Sequence, residues 1–497
     1  VAFDIYSYCE WVDRCTQKPN HFKLSLTSVH KTMKGERPDI ALIVLDSVRA
    51  STFYELLDEK CLPVFKSLER DGVRYPQAIT NGPWTVPSHG SIFTGMYPSQ
   101  HGITGDNPTW NHPTFLKELS RVGYTTVGVS ANPWLSPNYG FSDGFDYFLT
   151  KWEYFFNGED MSAVVGAENW RNRLQSLSKN LTSGSPIKNA GNLAYLLYQS
   201  RKKGSGALHL ASRAQNLLAD IEAPSFFFAN FTEAHLPYEP PRQHAEQHLP
   251  EEVSYEEALE INQNPWDFVS GAVDMSDRDF EVLKALYRAS IQYLGEILND
   301  LINFLKPETT VIIAGDHGEN IGDFDLMDHQ YSVQQTLLHV PLIISGPNTP
   351  TKSSELVELR DIYPTILDMA GIERETSKKG LSFHSKSTRK YAVSEYLSPR
   401  PDIGTLRSKS SKLRHDEEVY TDRRRVVQSN KDKLIYWEDG TLELVDLNDC
   451  SSCNEEKKEE LSDVLLERID IDYDANSEEE VIVNKTVENR LEELGYI

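Results

Sequence analysis

Residues 40–46 read IALIVLD, six consecutive apolar residues closed by an aspartate. A run this short, with no polar positions alternating through it, is the pattern of a strand buried on both faces of a sheet. Similar runs follow at 125–130 (TTVGVS), 225–230 (SFFFAN), 310–314 (TVIIA) and 340–345 (VPLIIS). Between them lie amphipathic stretches at 63–70, 114–121 and 277–305, with apolar residues at helical spacing. Buried strands alternating with helices predict an α/β fold with a mostly parallel central sheet flanked by helices.

The pattern changes after Gly371. Short runs at 391–396, 419–422, 425–429, 434–437 and 442–446, with an Asp439-Gly440 turn, predict a small antiparallel sheet. A charged helix is expected near 454–469. A chain of 497 residues exceeds what one simple core fills, so a large and a smaller domain are expected. The boundaries read as an N-terminal arm over 1–37, a main domain over 38–375, an α+β subdomain over 376–470 and an acidic, then helical, tail over 471–497. Ser/Gly/Lys-rich pieces within 151–222 read as an insertion over the sheet's edge or mouth. An acidic, proline-containing loop is expected over about 237–276.

The net charge of −25 argues against a general nucleic-acid binder, because backbone phosphates would be repelled. It leaves an anionic substrate open, since a bound metal ion reverses the local field. No run of about 18 apolar residues occurs, so no membrane span is expected. No basic start leads into an apolar stretch, so no signal peptide is visible in a chain that begins at Val1. Cys9, Cys15, Cys61, Cys450 and Cys453 form no dense framework, which favours a reducing compartment and a cytoplasmic location. Cys450-Ser-Ser-Cys453 reads as an incidental loop pair ahead of a disulfide or a metal site.

Ligands of an open α/β sheet sit at the carboxyl ends of its strands. Asp46 lies at such an end, though an aspartate there also serves as a helix cap. Asp316 and His317 follow the run VIIAG, and together they offer one hard oxygen and one imidazole, a usual pair for Zn²⁺ or Mn²⁺. Gly318 lets the backbone turn sharply behind them. Residues 84–95 read WTVPSHGSIFTG. Pro87 and Gly95 bracket a short helix over 88–94, with Thr85 just outside its N-terminus. There Thr85 is either an N-cap worth ~1 kcal/mol or a nucleophile with a lowered pKa. This window alone does not choose. His235 (in FTEAHLPYEPP) and His329 (in DHQY) also follow strand-like or site-like segments. Each alone reads as an ordinary structural histidine; two on one sheet edge point to a site.

Together these pieces resemble the sulfatase family of the alkaline phosphatase superfamily. Thr85-Val-Pro-Ser-His89, followed by Thr94-Gly-Met-Tyr-Pro-Ser-Gln-His-Gly102, is similar to the sulfatase signature. Residues 44–49 (VLDSVR) resemble the first metal-binding strand, and 315–319 (GDHGE) the second metal segment. Residues 340–344 and 361–371 also match, so the likeness runs in order from about 38 to 372. It implies an alkaline-phosphatase-like sandwich, metal-dependent ester cleavage, and a metal held by Asp46, Thr85, Asp316 and His317.

The departures bear on mechanism. Sulfatases convert a Cys or Ser at the nucleophile position to formylglycine, whose hydrate attacks the ester. Thr85 cannot give that aldehyde, so no formylglycine is expected. The signature's Arg is His89, expected either to orient Thr85 or to lie on the helix surface. Ser47 stands where sulfatases usually have a second Asp. With fewer carboxylates, the resemblance implies one ion of the Mn²⁺, Zn²⁺ or Mg²⁺ kind in preference to Ca²⁺. A second ion would have to recruit His235 and His329.

The expected activity is hydrolysis of phosphoesters or phosphodiesters through Thr85. His235 and His329 would contact non-bridging oxygens or protonate the leaving group. The partner is a small-molecule or a glycan- or lipid-linked anionic ester, with no nucleic acid and no membrane span. Alternatives are a sulfuric ester hydrolase using Thr85 directly, a phosphoglycerol-type transferase, and a non-catalytic binding module. The intact set of four metal-site residues counts against the last.

Overall fold

The run at 40–46 forms strand β1, Ile40–Leu45, with every residue buried. Ala41, Ile43 and Leu45 belong to one apolar cluster, and Ile40, Leu42 and Val44 to another on the opposite face. Both faces are covered, which is why the run shows no alternation. Each Ile, Leu or Val side chain here contributes about 1.5–3 kcal/mol by leaving water.

The computed structural model describes residues 37–152, 188, 206–222, 224–350, 356–373, 380–447, 455–469 and 491. The expectations for the N-terminal arm, for Cys450 and Cys453, for most of the 151–222 insertion and for the tail fall outside these residues.

Six further strands complete the main sheet: β2 (Gly72–Arg74), β3 (Thr125–Ser130), β4 (Tyr147–Thr150), β5 (Ser225–Phe231), β6 (Thr310–Gly315) and β7 (Leu342–Ser345). Their order is β2-β7-β6-β1-β5-β3-β4. From β6 to β4 all neighbours are parallel, and Leu45 pairs with both Phe231 and Gly315, so the carboxyl ends lie level. The run at 340–345 is not one strand. Pro341 has no N–H to give a ladder; His339–Val340 pairs with Ala78–Ile79 in a small separate sheet, and β7 runs antiparallel to β6. An apolar run signals burial but carries no direction.

Helices α1 (Thr85–Thr94) and α2 (Asp277–Phe304) lie on opposite faces of the sheet. Ile92 and Phe93 of α1 join one cluster, while Val282, Leu286 and Leu294 of α2 join the other. A reciprocal Ser276–Asp279 capping box starts α2. Helix α1 begins earlier than expected. Trp84 is its N-cap, the Ser88 N–H donates to the Trp84 carbonyl at 3.2 Å, and Gly95 closes it at φ 72°. Thr85 is therefore the first helical residue rather than a flanking one. Pro87 falls within the first turn, where a missing N–H costs no helical bond.

Two more expectations are corrected. The segment 237–276 is no loop: it holds helices at Arg242–Ala245, Tyr255–Glu260 and Pro265–Val269, the last two capped by Ser254 and Asn264. The short strand expected at 419–422 is a helix, Glu417–Thr421, in which Tyr420 is drawn into the core and its hydroxyl donates to the Val269 carbonyl at 3.1 Å.

Strands β8 (Ala392–Tyr396), β9 (Arg424–Gln428), β10 (Asp432–Trp437) and β11 (Leu442–Asp446) form the four-stranded antiparallel sheet. Leu461 and Leu465 of helix α3 (Glu455–Arg468) pack on it. This sheet braces one loop of the main sheet. The Tyr396 hydroxyl accepts from the Tyr331 N–H and donates to Gln330 Oε1, both at 3.0 Å, and Arg424 donates to the Tyr331 carbonyl. No helix among the described residues is long and apolar enough to cross a membrane.

Candidate active site

The carboxyl ends of β1 and β6 each release an acidic residue into the same space. The Asp46 N–H donates to the Phe231 carbonyl at 3.0 Å, extending the sheet by one bond. The chain then turns at Ser47, whose φ of 60° is unusual for a residue with a side chain. The Ser47 N–H donates to Asp316 Oδ1 and its hydroxyl to Asp46 Oδ1, each at 3.2 Å. Helix α2 pins this turn from below: the Tyr287 hydroxyl donates to the Ser47 carbonyl at 2.7 Å and accepts from the Arg49 N–H at 2.9 Å. After β6, Gly318 lets the backbone press against the neighbouring chain, since a Cβ there would lie 1.8 Å from the Thr336 carbonyl oxygen.

Asp46, Asp316 and His317 are fully buried, and their ligand atoms lie within 4.8 Å of one another. His317 Nε2 is 3.7 Å from Asp46 Oδ1, 3.5 Å from Asp316 Oδ2 and 3.3 Å from Thr85 Oγ1. His317 Nδ1 lies 2.8 Å from the Gly318 carbonyl, which can only accept, so Nδ1 carries the proton. The Nε2 lone pair therefore faces two carboxylates and a hydroxyl. Asp316 Oδ2 meets no hydrogen-bond donor among the described residues. Burial drives the Asp316 carboxyl well above its ordinary range, and the nearby Asp46 adds to this. Burial and the neighbouring His329 charge hold His317 well below its own, hence neutral. Two carboxyl groups, one imidazole lone pair and one hydroxyl converge here, and a divalent cation would offset the charge that burial otherwise disfavours on the carboxyl pair. The Nδ1–carbonyl bond is the usual outer support of such a ligand.

Two asparagines absent from the sequence expectations complete this cluster. Asn132 Nδ2 donates to Asp46 Oδ2 at 2.8 Å and lies 3.3 Å from Thr85 Oγ1. Asn230 Nδ2 reaches Asp46 Oδ2 at 3.2 Å. The signal for both was available, because Asn230 lies within strand β5 and Asn132 two residues past β3 at the same sheet edge. Ser88 of α1 contributes too, its hydroxyl donating to the Asp316 carbonyl at 2.7 Å.

His89 is not on the helix surface, and it meets Thr85 at the backbone carbonyl. It is buried, its Nδ1 lies 2.9 Å from the Thr85 carbonyl and 3.6 Å from Asp316 Oδ2, and its ring packs edge-on to Phe141 and Phe228. Burial lowers its pKa to about 4. A neutral histidine here steadies the first turn of α1 and does not replace the charge of an arginine.

His235 and His329 do meet, together with Asp328, in a second buried group whose ligand atoms also lie within 4.8 Å of one another. The rings of His329 and His317 are 4.4 Å apart, and those of His329 and His235 are 5.1 Å apart. The internal polarity differs from that of the first group. His329 Nδ1 is paired with Asp328 and stands 3.7 Å from Glu319 Oε1. Burial opposes its charge, but these carboxylates prevail and hold His329 up to about 10. His235 points its Nδ1 at the Leu236 carbonyl, 2.7 Å away, and burial beside the His329 cation lowers its pKa. The second group thus supplies its own positive charge and faces the first.

The sulfatase family model matches residues 38–372. The uncharacterized sulfatase YidJ of Escherichia coli (strain K12) is 25% identical over 333 residues, 62% of this chain and 62% of that protein. The alignment therefore spans less than two thirds of that relative's length. BT4656, solved with its substrate D-glucosamine-2-N,6-O-disulfate, superposes with a TM-score of 0.61 at 17% identity over 90% of this chain and 100% of that one. The phosphonate monoester hydrolase of Agrobacterium radiobacter superposes with a TM-score of 0.60 at 16% identity, over 87% and 94%. At these identities the two structures speak for a common fold.

Proposed function

We infer that this chain, which belongs to the sulfatase family, hydrolyses phosphoric or sulfuric esters through Thr85, with phosphoesters or phosphodiesters as its main substrates. The observation that carries this reading is the position of Thr85 Oγ1. It sits in the first turn of α1, 3.3 Å from His317 Nε2 and from Asn132 Nδ2, two side chains that also face Asp46.

Asp46, Asp316, His317 and Thr85 Oγ1 would hold the divalent cation that the family uses. When bound, that ion would lower the pKa of the Thr85 hydroxyl and offset charge on the ester oxygens. The Thr85 hydroxyl gives its proton to solvent as Oγ1 attacks phosphorus in line and forms the Oγ1–P bond; the P–O bond to the alcohol breaks, and the alcohol oxygen leaves with its electron pair and takes a proton from solvent. Asn132 orients Thr85 and Asp46 at once. The α1 N-terminus directs N–H groups towards the transferred group. His329, held cationic by Asp328 and Glu319, contacts a non-bridging oxygen as its charge grows. Water then attacks phosphorus, the Oγ1–P bond breaks, and the proton that water loses restores the Thr85 hydroxyl.

Threonine chemistry favours phosphorus over sulfur. The Thr85 Cβ carries a methyl group, so its oxidation would give a ketone and not the formyl group of a sulfatase. A simple threonine ester has no geminal hydroxyl to expel the bound anion and must be cleaved by a second attack at the central atom. Sulfate turnover is the second reading: the neighbour solved with a disulfated glucosamine has the same fold, and a sulfate ester differs by one charge.

Metal-loaded wild-type protein and Thr85→Ala should be compared on aryl phosphate, aryl phosphodiester and aryl sulfate. The expected result is phosphoester turnover that Thr85→Ala abolishes with metal content retained, and a trapped phosphoryl group on Thr85 by mass spectrometry. Hydrolysis surviving in the variant removes the nucleophile assignment. Turnover of sulfate alone moves the substrate class to the second reading.

A further inference from the structure

We propose that Tyr396 of the C-terminal sheet, helped by Arg424, Gln428 and Lys433, is the positioning residue for His329, so that this sheet serves the reaction as well as the fold. The proposal rests on the ester-hydrolase reading above, in which His329 meets the growing charge on a non-bridging oxygen.

His329 stands on a costly stretch of backbone. Asp328 before it has a φ of 74° and Tyr331 after it a φ of 59°. Both values lie in the left-handed region, which residues with a side chain keep only where the surroundings over-determine it. Upstream, Asp328 pairs with Asn320 in a two-stranded ribbon, and its Oδ1 accepts from the His329 N–H at 2.6 Å. Downstream, the C-terminal sheet takes over. The Tyr396 hydroxyl accepts from the Tyr331 N–H and donates to Gln330 Oε1, both at 3.0 Å, while Arg424 donates to the Tyr331 carbonyl. Lys433 donates to the Val333 carbonyl, and Gln335 Nε2 donates to Gln428 Oε1 at 2.7 Å. The Tyr331 hydroxyl donates to the Pro401 carbonyl, and its ring lies edge-on to Tyr420 at 5.1 Å.

These grips have a regular origin. Tyr396 and Arg424 are directly opposite on β8 and β9, and Gln428 and Lys433 are directly opposite on β9 and β10. Arg424 and Gln428 are four residues apart on one strand, so all of them share one face of the sheet. That face is turned to residues 330–335. The opposite face covers helix α3 with Val393, Val427 and Leu434, so apolar residues suffice where packing is the only task. Tyr396, Arg424, Gln428 and Lys433 are buried as well, and a buried polar group costs stability unless it is bonded. Their bonds go to the segment that follows His329. The His329 ring lies 4.4 Å from that of His317 and 5.1 Å from that of His235, so a shift of its backbone moves the imidazole against the reacting group.

The test is a double-mutant cycle on the metal-loaded full chain: wild type, Tyr396→Phe, His329→Ala and the two together, with bis(4-nitrophenyl) phosphate as substrate. Tyr396→Phe keeps the ring and removes the hydroxyl alone. The expected result is a kcat lower by about 10–10²-fold, as for a displaced reacting group, with KM and metal content little changed. In the His329→Ala background the same change should cost nothing further, because no imidazole is left to misplace. Lys433→Met is the second variant, which removes the donor to Val333 but puts an apolar chain in a buried place and so keeps the fold. It should lose about three- to tenfold in kcat, again only where His329 is present. Equal fractional losses in both backgrounds mean a structural role and overturn the proposal, as does full activity in Tyr396→Phe. A wild type inert towards every ester, or a fully active His329→Ala, brings down the reading of the site itself. An active wild type, an impaired His329→Ala and an additive cycle condemn the positioning role alone.

Discussion

Two buried groups of similar make-up lie side by side at the carboxyl edge of the sheet. One holds Asp46, Asp316 and His317; the other holds His235, Asp328 and His329. By residue type and spacing either could take a metal ion, but their chemistry is opposite. In the first, His317 points its proton away to the Gly318 carbonyl and turns a lone pair to two carboxylates, so the group is anionic and fits a cation. In the second, Asp328 and Glu319 keep a proton on His329, and the group has the charge that suits an anion. Ligand-like residues do not define a metal site; the direction of each ring and the partner of each nitrogen do.

The largest expected break of this contrast is Asp316→Asn. Removing one of two carboxylates from the first group should release the divalent ion, seen by elemental analysis, and lower kcat/KM by about 10³-fold or more. If metal content stays at the wild-type level, the first group is not the cation site. A smaller effect is expected in the second group. His329→Ala should keep the metal and lose about 10²–10³-fold in kcat, whereas His329→Lys, which restores a cation, should recover part of it. Loss of metal in His329→Ala would mean that the two groups are not of opposite character. The smallest effect belongs to the link that serves the first group without belonging to it. Asn132→Ala removes the donor to Asp46 and the neighbour of Thr85, and should cost about 10–100-fold in activity or metal affinity.

How much was legible differs between elements for physical reasons. Strands β1, β5 and β6 are continuous apolar runs because both their faces are covered, and that pattern is local. Thr85, Asp46 and the pair Asp316-His317 were legible because each sits at a strand or helix end, where the chain punctuates itself. The antiparallel direction of β7 was not legible, since burial sets composition and not orientation. The helix at 417–421 was missed because Tyr420 answers to a carbonyl 151 residues away. The charge of His329 depends on Glu319 and on a loop held by Tyr396 and Arg424 from the C-terminal sheet.

By itself, the sequence determined the α/β layering, the sulfatase likeness and the threonine where a formylglycine precursor would stand, because these rest on residue type and short-range pattern. Only the tertiary structure decided which histidine is neutral and which is charged, that His89 is buried beneath the helix start, and that Asn132 joins Thr85 to Asp46. Those properties arise from burial and from partners distant in the chain, and dielectric and hydrogen-bond geometry exist only once the strands are side by side.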